Sequence, residues 1–352
     1  MKKAFEQYLN QIQKVQKRSN LKIERSTYPE PQEFDYMDPP PSMVAIDGSN
    51  RWIWIDHDLN IRIAIIRTVA VKYKYQNNLE QPLQLVNQKC LDSAVLISPD
   101  NLDIYNYDPD LKNLFTDIKS LLVGRSGRPP KPQNILSLIR SFREFETALD
   151  IAQNDVDSLI VIDGALTYVP IKQFEGTMYS LREACKQNNN TLIGISKRNI
   201  TRRFKQDITD EAVFHTRTKN IKSMSFVEIP PVPVQDPKFP TVGKTFLVKL
   251  HEKPIKNFRV DIDILESKNI SKILSHLAYY SKVATIPGYP FPLVDAHNIA
   301  VLLRRIPDMY NHELIEEGLK LDINEDIILK NLITNERMEL DPFHRHLDEI
   351  TR

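Results

Sequence analysis

The period of the hydrophobic pattern changes several times along the chain. The segments MVAIDGSNRWIWIDHD and IRIAIIRTVAVKYKY are rich in strand-forming residues and are separated by a short polar turn, which predicts an antiparallel pair. The segment LQLVNQKCLDSAVLIS predicts a third strand. In residues 134–153 apolar side chains recur every three or four positions, which predicts a helix with one broad apolar face.

The middle of the chain alternates between strand and helix patterns. DSLIVIDG and TLIGISK are short continuous apolar runs, as in strands that are covered on both faces, and TMYSLREACKQNN between them predicts a helix. This alternation predicts α/β architecture. VGKTFLVKLHEK and FRVDIDIL predict two further strands. ISKILSHLAYYSKV and LVDAHNIAVLLRRI predict helices, with a rigid turn at PGYPFP between them.

Four regions differ from this core pattern. Residues 1–25 predict an amphipathic helix that packs on its own domain or on a second copy, and a proline-rich connector follows to residue 41. Residues 124–133 (GRSGRPPKPQ) predict a mobile basic loop, and residues 198–240 an insertion or lid. The charged tail 311–352 is expected to be peripheral, so residues 42–310 form the main domain.

Composition restricts the class of protein. With 41% hydrophobic and 26% charged residues, the chain can bury a globular core. It has no run of about 18 apolar residues, no apolar secretion signal and only two cysteines, so we expect a cytoplasmic protein without a disulfide framework. The net charge of +1 means that any DNA contact must come from local basic patches.

Two matched segments carry the first candidate chemistry. VAIDGS and VIDGAL each place an aspartate, Asp47 and Asp163, after an apolar strand and before a glycine. If the two strands are neighbours, the carboxylates repel each other, and a divalent cation would remove that repulsion. Two other interpretations remain open: each aspartate caps a local turn, or the pair holds Mg²⁺ and phosphate as in actin-like ATPases and sugar kinases. Only 9 of 352 residues are glycine, and Gly48 and Gly164 are two of them.

The helix at 134–153 carries two further acidic candidates. Glu146 falls within the apolar stripe, whereas Glu144 lies on the opposite side of an ideal helix. An acid on a buried face needs a partner, and a metal ion between the aspartates would be one. Alternatively, Glu146 reaches solvent at the edge of the stripe.

Basic and aromatic candidates follow. Lys197 ends the strand TLIGISK, and a cluster that could hold a phosphate backbone or simply form a solvated face comes directly after it: Arg198, Arg202, Arg203 and Lys205. Tyr289 and His297 lie on either side of a proline-fixed corner, where His297 could ligate a metal or transfer protons, or could be a core histidine. Asp295 is a nearby alternative carboxylate.

The ordered set VAIDGS, RSFREFETALDIA, VIDGAL, GISK and GYPFPLVDAH resembles the NurA nuclease family of archaea and some bacteria, over most of residues 43–300. The resemblance implies a ribonuclease-H-like mixed sheet flanked by helices. It implies Mn²⁺-dependent 5′-to-3′ exonuclease and single-strand endonuclease activity, with Mg²⁺ a weaker cofactor. It further implies a nucleoid-associated homodimer that acts on single- and double-stranded DNA with the hexameric translocase HerA in double-strand break resection.

By position, the resemblance assigns metal binding to Asp47, Asp163 and one helix glutamate, with Tyr289 and His297 completing the site and Lys197 near the phosphate. The family spacing favours Glu144, whereas the apolar stripe favours Glu146. If HerA is the partner, we expect an exposed apolar turn to contact it, formed by Phe291, Leu293 and Val294. The alternatives are an actin-like ATPase or kinase, although no further glycine-rich adenosine-binding segment is present, and a non-catalytic adaptor that feeds DNA to a motor.

Overall fold

The computed structural model of the protein describes residues 28–37, 40–56, 61–76, 83–97, 102–105, 132–197, 201–204, 208–230, 240–263, 269–283 and 286–301. The helix predicted for residues 1–25, nearly all of the basic loop and the tail from residue 311 lie outside these ranges. Within the described part of the chain, no helix combines the length and apolarity needed to cross a membrane.

In the described part of the chain, ten strands form one sheet. They are β1 (Gln32–Phe34), β2 (Ser42–Asp56), β3 (Ile61–Tyr75), β4 (Leu83–Ile97), β5 (Leu102–Tyr105), β6 (Ser158–Asp163), β7 (Thr191–Ser196), β8 (Met224–Ile229), β9 (Lys244–Lys249) and β10 (Phe258–Ile262). Their order across the sheet is β1-β8-β9-β10-β7-β6-β2-β3-β4-β5. The predicted strands β2, β3 and β4 are therefore neighbours in the sheet.

The sheet is mixed. Strand β6 is parallel to both β2 and β7, whereas β7–β10, β10–β9, β9–β8, β8–β1 and β4–β5 are antiparallel pairs. The described residues include five helices: α1 (Pro132–Asn154), α2 (Lys172–Gln187), α3 (Asp210–Thr218), α4 (Ile270–Tyr279) and α5 (Phe291–Val301). The predicted α/β class, with a large mixed sheet flanked by helices, is confirmed.

The chain divides into two compact units. Unit 1 comprises Met1–Ile46, Val71–Asn87 and Ala148–Val294, and unit 2 comprises Asp47–Ala70, Gln88–Thr147 and Asp295–Arg352. In unit 1, the first five residues of β6 and of β7 are all buried. A strand that is covered on both faces favours apolar side chains along its length, which explains the runs LIVI and LIGI that follow Ser158 and Thr191.

The segment 198–240, predicted as an insertion or lid, contributes to the sheet in its described part, residues 201–204, 208–230 and 240. It contains α3 and β8, and β8 lies inside the sheet between β1 and β9. Five side chains of this segment form a buried cluster with Tyr28 and with Leu247 of β9: Ile208, Val213, Phe214, Val227 and Ile229. The prolines that follow Ile229 obscured a six-residue buried strand, MSFVEI, in the sequence pattern.

Three predicted boundaries also need correction. The proline-rich connector contains β1, which pairs with β8 at the edge of the sheet. Helix α1 begins at Pro132, inside the predicted loop, and α5 begins at Phe291, inside the predicted turn. Proline is compatible with the first turn of a helix because the amide hydrogens there have no partner within the helix.

Candidate active site

The register of β2 against β6 determines where two candidate aspartates lie. Ile46 lies opposite Ile162 in this parallel pair, within unit 1. Asp47 is bonded to Ile46 and Asp163 to Ile162, so both acidic residues follow paired positions on neighbouring strands. Strand β6 ends at Asp163, but β2 continues to Asp56, so Asp47 does not end its strand as the sequence pattern predicts.

In unit 2, Asp47 is a buried carboxylate that orients a histidine. Only 5% of Asp47 is exposed. Its Oδ1 atom accepts a hydrogen bond from Gly48 N at 2.8 Å, and its Oδ2 atom lies 2.7 Å from Nδ1 of His297 on α5. If Nδ1 carries the proton, Nε2 holds the lone pair that can bind a cation or accept a proton.

Glu144 approaches the same part of β2. It is 5% exposed, and its Oε1 atom would lie 2.5 Å from a Cβ added to Gly48. Arg140 bridges the two residues: its Nε atom is 3.5 Å from Oε1 of Glu144, and its Nη1 donates to the carbonyl of Gly48 at 3.3 Å. A Cβ at position 48 would require the Glu144 side chain to move, so the glycine lets this carboxylate approach the strand.

Glu146 has different surroundings. Its Oε2 atom is 3.5 Å from Nη1 of Arg143, which also donates through Nη2 to Ser93 Oγ at 2.7 Å. Burial raises the pKa of Glu146 to about 8, and burial lowers the pKa of Arg143 to about 10. The two glutamates therefore differ: Glu146 has a raised pKa, whereas Glu144 lies next to Gly48.

The helical pattern placed Glu144 on a polar face, and that prediction is wrong. Leu136, Glu144 and Thr147 are all buried, so α1 is covered on a second face besides its apolar stripe. A helix that is buried over a wide arc can hold polar side chains inside if they have partners. Arg140 is the partner of Glu144, and the arginine was not recognised from the sequence.

In unit 1, Asp163 is paired with Lys197. The Nζ atom of Lys197 lies 2.5 Å from Oδ2 of Asp163, at the ends of the adjacent parallel strands β7 and β6. The same Nζ atom is 5.4 Å from the ring centroid of Tyr289, a favourable cation–π distance. The Tyr289 ring is buried and lies 5.1 Å from the Phe258 ring. Three residues predicted from the sequence, Asp163, Lys197 and Tyr289, are thus brought together.

The backbone after Asp163 is held by a residue that the sequence analysis missed. Leu166 N donates to Oδ2 of Asp261 at 3.0 Å, and Asp261 is fully buried on β10. Gly164 N donates to Ile195 O at 2.9 Å, and a Cβ on Gly194 would lie 2.7 Å from Gly164 O. The available signal was an aspartate at an inward position of the strand FRVDI.

The predicted basic cluster is described only in part. Arg202 and Arg203 are exposed, and Arg203 N donates to the carboxylate of Asp210 at the start of α3. Arg198 and Lys205 lie outside the described residues. Asp295, the alternative carboxylate, is partly buried on α5.

The turn predicted at residues 291–294 is helical. Phe291, Leu293 and Val294 form the first turn of α5, and Leu293 is fully buried. The Phe291 ring packs edge-on against Tyr73 with 4.7 Å between centroids. Val294 is half-buried, as is Phe291. The three side chains are therefore less exposed than predicted, and their contact with a partner stays a prediction.

The fold and these side chains define an α/β protein with a mixed sheet and acidic residues directly after the paired positions Ile46 and Ile162 of two parallel strands. The chain belongs to the NurA family, since the family model of the NurA domain matches residues 41–302.

A solved structure supports the fold. The chain is similar to the crystal structure of the NurA nuclease from Sulfolobus solfataricus, with 17% identity and a TM-score of 0.54 over 92% of this chain and 99% of that one. A second NurA crystal structure shares 11% identity over 84% of this chain and 92% of that one, with a TM-score of 0.46. No curated protein matches the sequence.

Proposed function

We propose that this protein is a metal-dependent DNA nuclease that hydrolyses phosphodiester bonds. The observation that carries the proposal is the register of Ile46 against Ile162, which makes Asp47 and Asp163 the next residues on paired strands. Each carboxylate already has a functional partner, His297 for Asp47 and Lys197 for Asp163. Membership of the NurA family supports the same activity.

The donor set fits a divalent cation. Asp47, Asp163 and His297 offer two carboxylates and one imidazole, a composition that could hold a metal ion. Each carboxylate has about four lone-pair positions, so the contacts to His297 and Lys197 leave capacity for a cation. Mixed oxygen and nitrogen donors suit Mn²⁺ better than Mg²⁺, which prefers oxygen alone. We infer that Glu144, with its carboxylate beside Gly48, completes the set rather than Glu146.

When bound, the cation would neutralise charge on the phosphate and activate a water molecule. The chain's own residues supply the remaining chemistry. The Lys197 ammonium group, held between the Asp163 carboxylate and the Tyr289 ring, is positioned to offset negative charge on the scissile phosphate. His297, oriented through Nδ1 by Asp47, presents Nε2 for cation binding or proton transfer.

The finer assignments follow from the family resemblance. We propose a ribonuclease-H-like core, 5′-to-3′ exonuclease and single-strand endonuclease activity, a homodimer and action with a HerA-type translocase in double-strand break resection. The exposed Arg202 and Arg203 would bind the phosphate backbone of single- and double-stranded DNA.

An assay on end-labelled single- and double-stranded DNA tests the proposal. With purified protein, we expect cleavage in Mn²⁺, weaker cleavage in Mg²⁺ and none with excess chelator. ATP hydrolysis measured without DNA addresses the ATPase alternative, and DNA binding without cleavage would indicate the adaptor. If the folded protein binds Mn²⁺ and DNA but leaves both substrates intact, the nuclease proposal is rejected.

A further inference from the structure

The loop between β9 and β10 carries an exposed apolar residue flanked by lysines. We call the segment Lys253–Lys256 (KPIK) the KPIK loop. Ile255 is 68% exposed and Lys253 is exposed beside it. A single exposed isoleucine is ordinary on a protein surface. Whether this one indicates a binding surface therefore depends on the residues around it.

The KPIK loop is fixed to the two segments that carry Lys197 and Tyr289. Lys256 Nζ donates to the backbone carbonyl of Lys197. Ile255 N donates to Pro287 O at 3.1 Å. Gly288, which precedes Tyr289 and has φ +93°, lies so close to Pro254 that an added Cβ would be 2.9 Å from the proline Cβ. The exposed isoleucine is therefore held beside the Lys197–Tyr289 pair.

The same loop adjoins the arginine segment. Lys256 Nζ lies 3.5 Å from a carboxylate oxygen of Glu211 in the first turn of α3. The neighbouring Asp210 accepts hydrogen bonds from the backbone of Arg203 at 2.7 Å and of Phe204 at 3.0 Å. The first turn of α3 therefore contacts both the KPIK loop and the segment that carries Arg203. The result is a basic rim in unit 1 that contains Lys197, Arg202, Arg203, Lys253 and Lys256.

We propose that the KPIK loop contacts the DNA strand next to the cleaved phosphate, with Lys253 facing the phosphate backbone and Ile255 packing on the face of a base. The inference rests on the proposed function, because the ligand is the substrate of that site. Cations favour a polyanion, and an apolar side chain among them suits a ligand that alternates charge with flat apolar surface. Single-stranded DNA has this chemistry, since its unpaired bases are accessible.

Binding can be measured apart from cleavage. The probes are a fluorescein-labelled oligothymidylate and an oligomer of equal length whose central residues are abasic, both with the full-length protein in excess chelator. The variants are Ile255→Ala and Lys253→Gln. The matched controls are Val156→Ala, which truncates another β-branched apolar side chain at 63% exposure, and Lys186→Gln on the exposed end of α2. Val156 precedes β6 and so lies toward the end of that strand opposite Asp163.

Ile255→Ala should weaken binding of the thymidine probe about fivefold, the loss expected for roughly one kcal/mol of apolar contact, and leave the abasic probe unchanged. Lys253→Gln should weaken both probes and reduce the slope of log affinity against log salt by about 0.7, the value for one phosphate on a single strand. Both controls should bind like wild type.

Equal effects of Ile255→Ala on the two probes, or affinities matching the Val156→Ala control, would overturn the base contact. Lack of DNA binding by the wild-type protein would overturn it as well. If the protein cleaves DNA normally but the loop variants bind DNA like wild type, the proposed contact of the KPIK loop is refuted and the proposed nuclease activity is not. If DNA binding depends on the loop but no metal-dependent cleavage occurs, the proposed nuclease activity is refuted and the proposed loop contact is not.

Discussion

The Nδ1 atom of His297 lies 2.7 Å from Oδ2 of Asp47, although the two residues are 250 positions apart in the chain. The contact joins a strand residue to a residue of α5 within unit 2. A carboxylate that accepts from one ring nitrogen fixes the tautomer and orientation of the other. The same pair can therefore set the direction of a metal ligand or a proton-transferring group.

Replacing His297 should show whether it acts as a metal ligand or proton-transferring group, or only packs in the fold. His297→Gln should reduce Mn²⁺-dependent cleavage on the order of 10²-fold to 10⁴-fold, the range for a positioned acid–base group. Asn298→Ala, at an exposed position on the same helix, is the matched control and should cleave normally. Single-turnover cleavage rates and Mn²⁺ titrations measure the effect. Near-normal cleavage rates for His297→Gln would show that this histidine has no role in cleavage.

The two glutamates of α1 should behave differently. Glu144→Gln should lower Mn²⁺ affinity by roughly tenfold to 100-fold, as for groups that hold or orient metal ligands, because its carboxylate is beside Gly48. Glu146→Gln should leave the affinity unchanged, because that carboxylate contacts Arg143. Isothermal titration of Mn²⁺ decides between them. The assignment reverses if Glu146→Gln is the variant that loses affinity.

Gly194 should tolerate no side chain. An added Cβ would be 2.7 Å from the backbone oxygen of Gly164 and 2.9 Å from Leu166, so Gly194→Ala should cost about 1–3 kcal/mol of unfolding free energy and displace the backbone after Asp163. Gly176→Ala is the control: nothing lies within 4 Å of its Cβ, and alanine should stabilise α2 by up to about 1 kcal/mol. Urea denaturation compares the two. Equal stabilities for the two variants would show that Gly194 has room.

Stability should depend on pH through Glu146. Burial raises its pKa from 4.5 to about 8, so between these values the unfolded chain has lost this proton while the folded chain keeps it. The contribution of Glu146 to the free energy of unfolding is therefore complete below the pKa of the unfolded chain. It is lost as pH rises through the pKa of the folded chain. Glu146→Gln should remove this decline, as measured by urea midpoints from pH 5 to pH 9. Parallel curves for wild type and variant would contradict the raised pKa.

The sequence predicted most of the central elements because their patterns are local. SLIVI and TLIGI are continuously apolar after their first residues, Ser158 and Thr191, and the β2, β3 and β4 segments are long strand-forming runs. The residue pairs Asp163–Lys197 and Lys197–Tyr289 also involve predicted residues. Those predictions depend on strand ends and glycines, which are visible in one sequence.

The remaining features depend on tertiary packing. MSFVEI was assigned to an insertion because the prolines after it suggested a loop, yet pairing with β1 and β9 places it in the sheet. Glu144 was placed on a polar face because one helical period cannot show that α1 is covered on a second side. Asp261, which holds Leu166 N, and Arg140, which bridges Glu144 and Gly48, become visible only when distant segments meet.

The central claim is that Asp47 and Asp163 act together on one cation. The most direct measurement is Mn²⁺-dependent cleavage of labelled single-stranded DNA by Asp47→Asn, Asp163→Asn and the double variant, with Asp157→Asn at the other end of β6 as control. Each single variant should fold and lose roughly 10³-fold or more of the rate, and the double variant should lose little beyond either, because the two groups work as a unit. Cleavage near the wild-type rate by either folded single variant would contradict the account.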